Sequence, residues 1–163
     1  MVNSALKTDL LAFNPDRDYE TVRNSAFAAE YEAKDPDISA FVNNGGKLLL
    51  WHGMDDPGPN VVATIEYYEK MKATTGKKAK NVDESARFFV LPGVYHCRGG
   101  PGADDFDSLT ALDNWVEKGR PPTTMVATRS SDRAFSRPVC QYPTLPRYSG
   151  KGDPNQASSF HCR

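Results

Sequence analysis

The chain has 163 residues, the size of one ordinary domain with a single core, and carries 20 Lys and Arg against 21 Asp and Glu. The basic residues are scattered rather than gathered on one face, so they build no phosphate-binding field, which excludes nucleic acid as the expected partner. The longest apolar run, around residues 47–51, is far too short to cross a bilayer, and residues 1–8 hold no signal-peptide core, so the sequence predicts a soluble chain without a membrane partner.

Residues 19–33 are alanine-rich and charged, with apolar groups near helical spacing, and predict a helix that Pro36 stops; a shorter helix is expected over 36–42. Asn43-Asn44-Gly45-Gly46 breaks the chain. Residues 47–51 then form a continuous apolar run of strand length, the pattern of a parallel strand covered on both faces. After a polar turn, Val61, Ile65, Tyr68 and Met71 recur at helical spacing up to Gly76. Residues 77–86 read as a basic, solvated loop, and 87–91 as a second buried strand ended by Pro92-Gly93. A helix is expected from Asp104, its acidic residues at the positive end, with Phe106, Leu109, Leu112 and Val116 inward and a stop at Lys118-Gly119. A short strand over 124–128 ends the periodic part, and the Pro-, Ser-, Gly- and Arg-rich residues 129–163 predict an irregular tail wrapping over the core. Strand, helix, strand, helix, strand is a parallel α/β arrangement, here amounting to half a sheet. Trp51, Phe88, Phe89 and Trp115 are expected in its core.

Functional groups of an open parallel sheet collect beyond the carboxyl ends of its strands. Asp55 and Asp56 follow the first strand, and His96 follows the second. An acid and then a histidine, in that order, is how an α/β-hydrolase presents the last two members of its Ser, Asp, His triad. The acid fixes the imidazole's tautomer and steadies the imidazolium formed when it takes the serine's proton. Other pairings are weaker. His52, Asp55, Asp56 and His96 are metal-ligand types, but no His-x-x-x-His or Cys-x-x-Cys spacing accompanies them, so no metal is expected. His52 is expected to pack as a hydrogen-bonded turn residue and Asp55 to cap the following helix. A dyad of His96 with Cys97 is disfavoured because neighbours in an extended chain point to opposite sides; His161 is given no role. Cys97, Cys140 and Cys162 make an odd count that fits either buried free thiols or a disulfide leaving one thiol over.

The segments "GGKLLLWHGMDDPGPN", "TIEYYEKM", "LPGVYHCRGGPGADDFDSLTALDNWVEKGRPP" and "RPVCQYPTLPRYSGKGDPNQASSFHC" together resemble the C-terminal part of the tannase and feruloyl esterase family of α/β-hydrolases, over about residues 36–163. The resemblance implies that residues 1–163 are the C-terminal portion of one catalytic domain, with 129–163 as its wrapping tail. It implies a carboxylic ester hydrolase acting on small aromatic esters, with Asp56, which precedes Pro57, as triad acid and His96 as general base. Asp55 departs from the family, which has a small residue there. The resemblance pairs Cys140 with Cys162, 22 positions apart, a closure that constrains the unfolded tail by about 3 kcal/mol. It joins Cys97 to a cysteine just before the nucleophilic serine. No serine here has glycine two positions before it, so the Gly-x-Ser-x-Gly elbow is absent from these residues. The expected partner is therefore an N-terminal half of the same fold, carrying the serine, the oxyanion hole and the lid. Calcium, which the family often binds in that lid, is not expected in this chain, and no other cofactor is. The same resemblance implies a secreted or periplasmic protein. The competing expectation is a truncated, non-catalytic α/β fragment that binds a partner through an unpaired sheet edge.

Overall fold

The computed structural model describes residues 10–163; the reading of residues 1–8 as lacking a signal-peptide core lies outside them. The described residues fall into two compact units, one up to Asp35 and one from Pro36 to Arg163. In the first, the stretch predicted as one helix is two short ones, α1 (Pro15–Arg23) and α2 (Ala26–Tyr31), and neither buries a residue. The break has a local cause. Ser25 accepts the Ala28 N–H at 3.1 Å, an N-cap inside the predicted helix, as Asn14 caps α1 from outside.

The second unit opens with α3 (Ser39–Asn43). It starts later than expected because the preceding turn is held to the Thr75 hydroxyl, which accepts the Ile38 N–H and donates to the Pro36 carbonyl, both at 3.1 Å. The predicted parallel strands are β1 (Leu48–Gly53) and β2 (Ala86–Leu91), paired in register from Leu48 opposite Ala86 to Gly53 opposite Leu91. Between them runs α4 (Val61–Thr75), capped by Asn60, which accepts the Val62 N–H at 2.8 Å.

Both faces of this pair are covered, and the two-residue period sorts the side chains. Ala86, Phe88 and Val90, with Leu48 and Leu50, pack toward Tyr68 and Met71 of α4. Phe89 and Leu91, with Leu49 and Trp51, pack on the other side against Val94, Ala103, Phe106, Ala127 and Val139. Phe88 and Phe89 are fully buried, and each contributes about 1.5–3 kcal/mol by leaving water. Trp51 is half-buried.

Residues 77–86 are not a solvated loop. They carry α5 (Val82–Ser85), and Ala79, Val82, Ser85 and Ala86 are all buried, because three apolar groups among the lysines suffice to close the α4 end of the core. The helix expected from Asp104 is α6 (Ser108–Lys118), capped by Asp107, which accepts the Thr110 N–H at 2.9 Å. Asp104 and Asp105 instead donate their backbone N–H groups to the Thr128 carbonyl. The inward stripe of α6 is Ser108, Ala111, Leu112 and Trp115, at i, i+3, i+4 and i+7, so Leu109 and Val116, expected inside, lie outside it and are exposed.

The third strand also departs from expectation. β3 (Thr124–Arg129) does not pair with β1 or β2; it turns back through Ser130 and Ser131 into β4 (Asp132–Cys140) as an antiparallel hairpin. The hairpin meets β2 where its chain leaves β4, with a bridge between Phe89 and Gln141 and a bond from the Tyr142 N–H to the Phe88 carbonyl at 2.7 Å. The tight turn between β3 and β4 leaves no room for a crossover, so these two strands pair antiparallel. The tail is more regular than its composition suggests, since β5 (Pro146–Tyr148) and β6 (Phe160–Cys162) pair antiparallel. Cys140 and Cys162 form a disulfide, with Cα atoms 5.5 Å apart, that ties the end of β4 to the end of β6. No helix among the described residues is long and apolar enough to cross a membrane.

Candidate active site

The loops that leave β1 and β2 are stitched together by their backbones. Met54 N–H donates to the Leu91 carbonyl at 2.9 Å and Asp55 N–H to the Val94 carbonyl at 3.1 Å. The approach requires glycine at position 53, where a Cβ would overlap the carbonyl oxygens of Val94 and Tyr95. The loop after β1 thus rides directly on the loop after β2, and their side chains meet.

Asp56 sits at that meeting point with its carboxylate 5% exposed. One oxygen accepts the Gly58 N–H at 2.8 Å, an Asx turn that fixes the carboxylate's direction. The other lies 2.8 Å from His96 Nδ1. Burial alone would push the Asp56 carboxyl up, but the His96 ring and the Gly58 N–H, together with the nearby His96 and His52, outweigh it and hold Asp56 below its ordinary value. An ionised carboxylate can only accept, so the proton between the two groups sits on Nδ1 and the basic lone pair of His96 is on Nε2. The His96 side chain is 62% exposed, so that nitrogen opens outward.

His52 supports the acid from behind. Its Nε2 lies 3.1 Å from the Pro59 carbonyl and 3.6 Å from the Asp56 carboxylate, while Nδ1 lies 2.9 Å from the Thr64 hydroxyl. Both ring nitrogens are engaged, as expected of a packed turn residue. Asp55 is not the expected cap, because Asn60 holds that position closer to α4. His161, which the sequence left without a role, lies 3.3 Å through Nδ1 from the Ser149 hydroxyl, between β5 and β6.

The His96 loop is wound tightly: Gly102 N–H donates to the Gly93 carbonyl at 2.7 Å and Tyr95 N–H to the Gly99 carbonyl at 3.1 Å. Gly93, Gly99 and Gly100 take positive φ, and so does Cys97, at 63°. The expectation that Cys97 and His96 point apart rested on an extended chain, which this left-handed residue is not; the His96 ring nevertheless pairs with Asp56. The Cys97 thiol is exposed and free in this chain. Trp51, His52, Asp56, Pro59, His96 and Cys97 line a hollow of about 170 Å³. A larger apolar cavity of about 310 Å³, bounded by Leu91, Phe135, Arg137, Val139 and Phe160, contains neither Asp56 nor His96.

A residue the sequence reading assigned to a helix start belongs to this site's support. Asp104 is buried and accepts the Gly99 N–H, on the His96 loop, at 2.8 Å. A cue was present in the sequence, an acid following a glycine-rich loop, but acidic residues before a helix fit the dipole equally well.

An imidazole with Nδ1–H held by a carboxylate and Nε2 open to solvent can take a proton from an incoming hydroxyl and later return it. The family profile described as tannase and feruloyl esterase matches residues 2–163. This chain belongs to the tannase and feruloyl esterase family. Among curated members, it is 41% identical over 135 residues to a mono(2-hydroxyethyl) terephthalate hydrolase from Piscinibacter sakaiensis, covering 80% of this chain and 22% of that protein. It is 42% identical over 133 residues to a probable feruloyl esterase from Arthroderma benhamiae, covering 78% and 24%. An esterase from Aspergillus oryzae superposes with a TM-score of 0.79 at 28% identity, over 96% of this chain and 34% of that one. The chain thus spans about a quarter of the length of the curated family members it matches.

Proposed function

We propose that this chain supplies the acid and the base of a serine-type carboxylic ester hydrolase. The observation that carries the reading is the 2.8 Å contact between Asp56 and His96 Nδ1 at the rim of a parallel strand pair. His96 Nε2 takes the proton of a serine hydroxyl as its oxygen bonds to the ester carbonyl carbon. Asp56 steadies the imidazolium. The tetrahedral intermediate collapses as His96 returns that proton to the departing alcohol oxygen, leaving an acyl-serine. Water then repeats the sequence, with His96 as base and then acid, and releases the carboxylic acid and free serine.

The serine comes from a polypeptide segment outside these 163 residues, the N-terminal half of the same fold, since no serine here stands in an elbow motif. Two features suit such a partner. Among the described residues β1 pairs with β2 alone, so its other edge offers a row of backbone groups flanked by the half-buried side chains of Leu48 to Trp51. Cys97 stands free beside the base, where a disulfide to the cysteine preceding the serine would tie nucleophile to base. The substrates we infer are small esters of aromatic acids; two relatives are named for terephthalate and ferulate esters. The Cys140–Cys162 bridge suits a secreted or periplasmic protein, because such bonds persist in oxidising compartments.

The test is reconstitution. A chromogenic aryl ester is offered to the chain alone and to the chain refolded with the N-terminal portion of a related esterase. Turnover in the mixture alone is the expected result. A mixture that assembles yet shows no turnover would favour the non-catalytic, partner-binding alternative.

A further inference from the structure

We infer that Asp104 is a positioning residue that locks the His96 loop in the orientation that meets Asp56. Its carboxylate joins two segments far apart in sequence. One oxygen accepts the Gly99 N–H and the Ser130 hydroxyl, each at 2.8 Å, and the other accepts the Ser130 N–H at 2.7 Å. Ser130 is the turn of the β3–β4 hairpin, whose Ala127 is fully buried in the core, so this end of the clamp is anchored. The other end is three residues from His96. Because the Gly99 carbonyl in turn accepts the Tyr95 N–H, holding Gly99 holds the chain on both sides of the imidazole.

The arrangement is costly unless it does something. A carboxylate 4% exposed is held by neutral donors alone, while the nearby cations Arg98 and Arg133 both bond the adjacent, more exposed Asp105. A buried charge of this kind persists where its hydrogen bonds specify one geometry. Here the three donors tie a glycine-rich loop, already wound on itself by the Gly102–Gly93 and Tyr95–Gly99 backbone bonds, to the β3–β4 hairpin, and they do so where Gly99 and Gly100 take positive φ. The orientation of His96 toward Asp56 therefore depends on Asp104 without any contact between Asp104 and the imidazole.

This inference rests on the esterase reading, but its test needs no turnover. The full 163-residue chain is labelled with ¹⁵N, and two signals are followed in D104N, S130A and the control D107A: the ring-nitrogen shifts that report which His96 nitrogen carries the proton, and exchange of the Gly99 amide. In the wild type the proton resides on Nδ1, set by Asp56. D104N is expected to convert His96 to a mixture of tautomers and to speed Gly99 exchange about tenfold or more, the loss of a bond to a charged acceptor. S130A removes one donor and should move both signals the same way, less far. D107A removes the α6 cap and lowers the unfolding midpoint, yet should leave both signals unchanged, which separates positioning from general stability. If D104N releases the Gly99 amide while the His96 tautomer stays fixed, the inference is overturned. Should D104N not fold, S130A decides, and wild-type signals in S130A overturn it. An intact His96 tautomer in a reconstituted but inactive enzyme would count against the esterase reading and not against this one.

Discussion

Asp55 and Asp56 are neighbours of the same chemical type in one turn, and the structure gives them different work. Asp56 faces His96 with a nearly buried carboxylate while Asp55 contributes its backbone N–H to the Val94 carbonyl. The choice of Asp56 came from its place before Pro57 and from family resemblance; composition could not have separated the two. That His96 and an acid would share a rim was legible, because parallel strands put their carboxyl ends side by side. The role of Gly53 was not legible, since nothing in the sequence says that the backbone at 94–95 lies against it. Its replacement is a residue-scale test: Gly53→Ala forces the two loops apart and is expected to cost about 1–3 kcal/mol in urea unfolding while weakening the His96–Asp56 contact. Wild-type stability in G53A would show that the loops are not tightly apposed.

At the scale of elements, β1, α4 and β2 were readable because each is a strong periodic or continuous apolar signal bounded by Gly, Pro or Asn. β4, β5 and β6 were not, because their apolar groups are interspersed with Arg, Ser and Pro, and their ordering depends on strand partners up to 16 residues away and on a disulfide that spans 22. α6 was found but rotated: Leu109 and Val116 share a face seven residues apart, yet Trp115 took the core. Two substitutions separate these positions. Phe88→Ala opens a cavity in the fully buried face under α4 and is expected to cost about 3–5 kcal/mol. Leu109→Ala, on the exposed flank of α6, should change stability by no more than about 0.5 kcal/mol. Comparable losses would mean that Leu109 is buried in solution.

For the molecule as a whole, the aspartates that lie below their ordinary value, Asp18, Asp37, Asp56, Asp104 and Asp107, set the response to acid. Asp37 is held down to about 2 by its bond to Lys78, with Ser39 assisting. Asp56 and Asp104 lie below their ordinary value despite burial, through the donors described above. Each binds its proton more weakly folded than unfolded, so the stabilisation is complete above the ordinary value of 3.8 and is lost as pH falls from there toward about 2. Urea midpoints should therefore be insensitive to these groups from neutrality to about pH 5 and fall below about pH 4; a midpoint that rises on acidification through that window would contradict the assignment. Reducing the Cys140–Cys162 bridge should lower stability by about 3 kcal/mol at any pH in this range.

The most direct measurement is aryl-ester turnover by the chain reconstituted with a related N-terminal half, comparing D56N with D55N. The account predicts that kcat falls about 10⁴-fold in D56N, the cost of losing the carboxylate that holds the tautomer and steadies the imidazolium. D55N should stay within about threefold of wild type, as expected of a surface substitution. Turnover unchanged in D56N, or lost equally in D55N, would contradict it.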